Sequence, residues 1–405
     1  MYLLKNISQL LTLEKAHQKD GRNLKAEDIS IIKNAALVYN KDKILWVGAQ
    51  NELPGKYKKL KGKSLKGKCL IPEIVDCHTH LVFGGDRSHE YVMRLNGESY
   101  EKIAAMGGGI LSTVSQTQNK SIDELFKLAV KRIEKIRGYG IGTIEIKSGY
   151  GLSFEAEYNL AKVIHKLKKH FKNKIQICST YMAAHAVPKN FPSSAAYMQE
   201  VVLPLLQKLA KEQLIDAVDI FHEPNYFTQA DVIKLFEAAK KYKLPCKSHA
   251  DEFKEDGGGK LAAQFQALSA DHLLSTSDDS IRALATAETV ATLLPGTAFF
   301  LGKPQANAKK LLDAGCKVAI ASDFNPGSCH WDNVLQIACM AAPTYKMNQT
   351  QMWAAITLNA AHALGFKNQG ALVAGLKPRF SVFNTDSIDK ITYSWGQNLA
   401  GKSFF

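Results

Sequence analysis

At 405 residues, 46% hydrophobic and 22% charged, the chain has room for one large α/β domain with additions, or two domains, in ordinary globular proportions. Seven cysteines, odd in number and without a Cys-x-x-Cys pair, argue against a disulfide framework and for reduced thiols in a cytoplasm. The net charge of +14 invites nucleic-acid binding, but the lysines recur at the spacing of solvated helix faces, as in 162–174, without a zinc finger or an aromatic-interleaved basic groove.

The N-terminus has neither the basic region nor the cleavage site of a signal peptide, and no apolar run approaches bilayer length. The expected setting is cytoplasmic, with no membrane and no nucleic-acid partner. A small anionic substrate suits the positive field, and a homodimer is left open.

In chain order, residues 1–69 read as short β elements and turns. A hairpin is expected from 35–39 to 44–48 across the turn Asn40-Lys41-Asp42-Lys43. A basic, glycine-containing connector follows at 56–68. Strand and helix signals then alternate. The strands are expected at 71–77, 141–147, 175–183, 217–221, 244–248, 268–271, 290–294 and 318–322. Helices are expected at 121–137, opened by the capping box Ser121 to Glu124, and at 155–171, 194–212, 228–242 and 307–314. The first crossover, 81–140, is long enough to carry active-site loop. This alternation predicts a (β/α)8 TIM-like barrel of the α/β class. A helix at 349–364 follows, and the tail turns β-like again at 380–383 and 391–393. The two ends of the chain are expected to form a small composite β-sandwich domain from 1–69 and 366–405, flanking a barrel domain at 70–365.

Barrel chemistry gathers at the C-terminal ends of the strands. His78 and His80 close the first strand one residue apart, so their imidazoles share a side. On its own, His-x-His is a weak signal. His185 ends the third strand, His249 the fifth with Glu252 just beyond, His272 the sixth and Asp323 the eighth. Five of twelve histidines thus fall at strand ends, where an unpartnered polar group would be costly. His78, His80, His249 and Asp323 would hold one divalent cation, Zn2+ or Fe2+, and leave a position open for water. Such a cation lowers the pKa of that water. Asp323 can accept its proton, Glu252 can shuttle a proton, and His272 can polarise a carbonyl or stabilise an oxyanion.

This set of strand-end ligands resembles the amidohydrolase superfamily. Longer stretches at 79–87, 107–113, 144–152, 249–253, 269–274, 294–301 and 322–328 are similar to the imidazolonepropionase family, and the likeness covers about 70–365. The resemblance implies metal-dependent hydrolysis of the ring amide of 4-imidazolone-5-propanoate to N-formimidoyl-L-glutamate, a step of histidine degradation. It implies that Arg87, Tyr150, His185, Glu252, Asn325, Gly327 and Ser328 bind substrate. Arg87 has the fork geometry that a propanoate needs, and the backbone N–H groups of Gly327 and Ser328 could serve the same carboxylate.

Some superfamily members carry a carboxylated lysine on strand four that bridges two metals. Here strand four has no lysine and Lys147 lies on strand two, which predicts one metal and an ion pair from Lys147 to Glu145 or a loop acid. Three stretches depart from the family pattern. Pro72-Glu73 stands where Pro-Gly is usual, 376–380 replaces a Gly-Lys-x-Ala-Asp run, and 329–332 (Cys-His-Trp-Asp) follows the substrate loop in place of small residues. The rival readings are a ring aminohydrolase, such as a cytosine or guanine deaminase, and a basic RNA-binding protein built on the barrel.

Overall fold

The N-terminal hairpin forms where its turn chemistry requires. Asn40 Oδ1 accepts the N–H groups of Asp42 and Lys43, both at 2.8 Å, and reverses the chain. The hairpin strands belong to a mixed sheet containing β1 (Tyr2–Leu11), β2 (Ile31–Tyr39), β3 (Ile44–Ala49), β4 (Lys63–Ser64) and β5 (Cys69–Pro72). The computed structural model describes residues 1–98, 102–103 and 106–401, so part of the long first crossover and the last four tail residues lie outside it.

The barrel strands are β6 (Ile74–Asp76), β7 (Ile141–Lys147), β8 (Gln176–Ala184), β9 (Ala217–His222), β10 (Lys247–Ala250), β11 (Ser269–His272), β12 (Val290–Leu293) and β13 (Val318–Ile320). They lie side by side in sequence order, all parallel. The ring closes just past the strand ends, where Thr79 bridges Phe324 and the Asp323 N–H donates to the His78 carbonyl at 3.0 Å. Every residue of β7 is buried, as expected for a parallel strand covered on both faces. The helix Ile122–Arg137 starts at the Ser121–Glu124 capping box, and Ser153 and Thr228 cap Phe154–His170 and Gln229–Lys241. The helices turn their apolar stripes to one continuous core and leave lysines such as Lys166, Lys169 and Lys172 exposed.

The expected first strand, 71–77, is two strands. Cys69–Pro72 pairs with β1 and with the tail strand β14 (Phe380–Phe383), and only Ile74–Asp76 enters the barrel. Both ends of the chain therefore meet in the small sheet, but among the described residues it is a single sheet rather than two facing ones. Side chains from segments outside its strands cover it, with Leu372 in the cluster on one face and Tyr57, Leu53 and Leu60 in the cluster on the other. The segment 391–393 is helical, within Ile388–Tyr393, because Ser387 Oγ accepts the Asp389 N–H and starts a helix there. The expected helix 349–364 breaks into Gln349–Ala355 and Leu358–His362, and between them the Ile356 carbonyl accepts the Val75 N–H of β6 at 2.8 Å.

Candidate metal and substrate site

Alternation along the parallel strands aims polar side chains into the barrel. His249 precedes the last residue of β10 and His272 ends β11, while His78 and His80 lie just past β6. His80 Nε2 is 3.4 Å from His249 Nε2, and Asp323 Oδ1 is 3.5 Å from His78 Nε2 and 3.7 Å from His80 Nε2. A tetrahedron with metal–ligand bonds of about 2.0–2.1 Å has edges of roughly 3.3–3.5 Å, so these donors already stand close to the spacing of one shared cation.

Buried carboxylates orient two of the imidazoles from behind. His78 Nδ1 is 2.7 Å from Asp271 Oδ2, and His249 Nδ1 is 3.2 Å from the Asp219 carboxylate. A proton held on Nδ1 leaves the lone pair on Nε2, facing the centre. His78 Nε2 is fully buried and has no hydrogen-bond partner among the described residues, as expected of a ligand atom. Burial holds His78, His80 and His249 well below the usual imidazole range, with neighbouring cationic groups adding to the effect, so all three stay neutral and able to coordinate. Asp323 Oδ2 accepts the Thr297 hydroxyl at 2.6 Å, leaving Oδ1 toward the histidines. Burial pushes its carboxyl up to about 7. The chain's own residues fit a divalent cation.

A second group of candidate ligands, His78 with Glu145 and Asp271, is a poorer site. Two lysines already neutralise its carboxylates. Lys147 Nζ lies 2.9 Å from Glu145 Oε2 and 2.5 Å from Asp219 Oδ2, and Lys247 Nζ lies 2.8 Å from Glu145 Oε2. Lys147 thus pairs with Glu145 as expected, but its further partners are strand acids, not loop acids.

Glu252 and His272 face each other across the centre's rim, with Oε2 and Nε2 3.5 Å apart. Burial raises the Glu252 carboxyl well above the usual range, helped by the Asp323 and Glu223 carboxylates, while burial lowers His272 to about 4. Glu223 shapes this corner by accepting the N–H groups of Glu252, Phe253 and Lys254. Asp251, His272 and Asp323 all have left-handed φ, at 53°, 81° and 52°. Such strain costs about 1–3 kcal/mol per residue and gathers at functional sites.

His185 stacks on His80, with ring centroids 4.9 Å apart and planes 17° apart, and the Tyr150 ring is 5.4 Å from His185. Gly149 permits this approach, because it has φ +118° and a Cβ there would fall 2.8 Å from His185 Nδ1. Arg87 binds Glu90 through Nε and Nη2, both at 2.8 Å, and Glu90 also accepts the Gly109 N–H. The other guanidinium nitrogen, Nη1, abuts the 325–328 loop, since a Cβ on Gly327 would fall 1.9 Å from it. The N–H groups of Gly327 and Ser328 both donate to Asn325 Oδ1 at 2.8 Å, so they shape the loop instead of pointing outward as expected. Asn325 Nδ2 donates to the Asp323 carbonyl at 2.7 Å, tying this loop to the centre. In the atypical run after it, Cys329 is buried and the His330 ring packs 5.2 Å from Phe324.

The sequence reading named the outer groups and Glu145 as a partner of Lys147, and missed the others behind them: Asp219, Asp271, Lys247, Glu90, Glu223 and Thr297. Four of these six lie on or beside barrel strands, with a period-two signal, since Glu145 and Lys147, or Lys247 and His249, put polar groups at alternate positions of buried strands.

The model of the amidohydrolase family matches residues 69–399. The imidazolonepropionase of Bdellovibrio bacteriovorus is 37% identical over 413 residues, covering 98% of this chain and 96% of its own. That of Idiomarina loihiensis is 40% identical over 372 residues, covering 91% and 90%. Among solved structures, guanine deaminase from C. acetobutylicum superposes with a TM-score of 0.74 at 15% identity, covering 100% of both chains. Atrazine chlorohydrolase from Arthrobacter aurescens complexed with zinc gives 0.67 at 14%, covering 100% of this chain and 92% of its own. At those identities the two structures speak for the fold alone. With the family model over most of its length and curated relatives covering nearly all of it, the chain belongs to the amidohydrolase family and, within it, to the imidazolonepropionases.

Proposed function

We propose that the site adds water across the ring amide of 4-imidazolone-5-propanoate and releases N-formimidoyl-L-glutamate, with one divalent cation held by His78, His80, His249 and Asp323. The observation that carries this reading is the meeting of two corners. A cluster of neutral imidazoles with one carboxylate is linked through the Asn325–Ser328 loop to a guanidinium, in a chain 37–40% identical to imidazolonepropionases. A bound divalent cation, Zn2+ or Fe2+, supplies Lewis-acid polarisation and a water acidic enough to ionise near neutral pH.

The chain's own residues do the rest. Arg87, backed by Glu90, binds the propanoate and fixes the ring's register. Tyr150 and His185 flank the ring, and the Asn325–Ser328 loop closes the propanoate side. Water loses a proton to Asp323 and bonds to the ring carbonyl carbon. His272 stabilises the developing oxyanion, and its neutrality leaves it a hydrogen-bond donor without net charge. The carbon–nitrogen bond then breaks, and Glu252, protonated in its buried setting, delivers a proton to the departing nitrogen. A carboxyl raised by burial is the kind of acid this step needs near neutrality.

The test is the loss of substrate ultraviolet absorbance with metal-loaded protein. Wild type is expected to turn over, and Asp323→Ala to lose at least about 10³-fold in kcat, as expected when one variant removes both a ligand and a proton acceptor. Undiminished turnover by Asp323→Ala contradicts these assignments.

A further inference from the structure

Beneath the histidines lies a layer of five charged side chains, Glu145, Lys147, Asp219, Lys247 and Asp271, each with no side-chain exposure. Two ammonium groups face three carboxylates, and none of the five touches solvent. Desolvation makes such a cluster a poor source of stability, and apolar side chains would fill the space at lower cost. Its geometry points upward instead. Lys147 Nζ is 2.5 Å from Asp219 Oδ2 and 3.6 Å from Asp271 Oδ2. Those are the two carboxylates against which His249 and His78 rest their Nδ1 atoms.

One cation therefore stands behind both oriented ligands. Lys247 contacts one arm only. It sits 3.6 Å from Asp271 and is anchored by the Cys77 carbonyl at 2.7 Å, with no contact to Asp219 among the described residues. A single Nζ can hydrogen-bond Asp219, pair with Glu145 and attract Asp271 across 3.6 Å, because an ammonium is a compact charge with three rotatable donors, unlike the planar fork of arginine.

We infer that Lys147 is a positioning residue for the metal: by clamping Asp219 and Asp271 together it fixes His249 and His78 as a pair, and so sets how firmly the site retains a divalent cation. This rests on the reading of His78, His80, His249 and Asp323 as ligands. The position of Lys147 on β7, with its ammonium inside this cluster, also gives the residue a use that requires no second metal.

The test is retention of Zn2+ by the loaded full-length protein under challenge from a chromogenic chelator, with far-ultraviolet circular dichroism on the same samples. Lys147→Met is expected to release Zn2+ about 10–100-fold faster than wild type, the range for losing an outer-shell partner. Lys247→Met, which touches one arm, is expected to fall between them. If Lys147 acts through Asp219, then Lys147→Met and Asp219→Asn will not add, and the double variant will release metal little faster than the worse single one. The double variant also removes the uncompensated charge that could unfold Lys147→Met alone, so an unfolded single variant leaves the comparison of the double variant with Asp219→Asn decisive. Wild-type retention by folded Lys147→Met, or additive losses, overturns the inference while leaving the metal site intact. Wild-type protein that holds no Zn2+ overturns the ligand reading itself.

Discussion

Arg87 is fixed before any substrate arrives. Glu90 takes two of its donors, Gly109 steadies Glu90 from the other side, and Gly327 leaves room for Nη1. A guanidinium already held in place loses less entropy on binding a carboxylate than a free side chain would. Replacing it with methionine removes a charge-assisted hydrogen bond to the carboxylate, which contributes about 1.5–3 kcal/mol. Arg87→Met is thus expected to lower kcat/KM by roughly 10–150-fold, mostly through KM, in steady-state assays on the propanoate substrate. Gly327→Ala is expected to act in the same direction, because its methyl group displaces Nη1. An effect on kcat alone would place Arg87 at the reacting atoms and not at the carboxylate. These residues were legible as types and spacings. Glu90 was not, since an acid three residues after an arginine on a helix reads as an ordinary surface pair until the fold buries it.

At the scale of elements, two departures from the family pattern prove to be one feature. Glu73 stands at the switch between the small sheet and the barrel, and its carboxylate meets Arg379 from the altered tail stretch, with Arg379 Nη2 to Glu73 Oε2 at 2.7 Å. Thr143 Oγ1 donates to the same carboxylate, and Gly142 leaves the space for it. The pair joins β5, β7 and the approach to β14, segments far apart in the chain. Arg379→Ala strands a carboxylate that is only 2% exposed, and is expected to cost about 3 kcal/mol in denaturant unfolding. Glu73→Gly on that background is expected to recover part of the loss, and a strictly additive double variant would show that the two do not act together. Sequence patterning located the barrel strands because buried β-branched runs alternate with capped amphipathic helices. It did not divide 71–77, because Pro72-Glu73, where one sheet hands over to the other, reads as the entry to a single strand. It also read 391–393 as β from its residue types, where the cap at Ser387 decides for helix.

Across the whole molecule, the barrel keeps several imidazoles uncharged. Burial lowers His185, His272 and His362 to about 4, against 6.5 in an unfolded chain. Between those values the unfolded chain takes up protons that the folded one refuses. The contribution of each such group is therefore full above pH 6.5 and falls as the pH drops toward 4, by up to about 3 kcal/mol. Asp323 and Asp76, whose carboxyls burial raises to about 7 and about 6, act in the opposite direction as the pH falls, so the histidine share is read from the difference in Tm between a variant and the wild type. For metal-free His362→Gln the Tm relative to wild type is expected to rise as the pH drops from 6.5 toward 4, and a constant difference would mean that the residue titrates normally in the fold.

The central claim concerns which bond is cut, and solvent labelled with 18O reads it directly. Hydrolysis of the ring amide places one labelled oxygen per turnover in the α-carboxylate of N-formimidoyl-L-glutamate, the carbon that was the ring carbonyl. Mass spectrometry of the product formed by metal-loaded protein is expected to find the label there and nowhere else. Label on the one-carbon unit between the two ring nitrogens, or no product at all, would contradict the account.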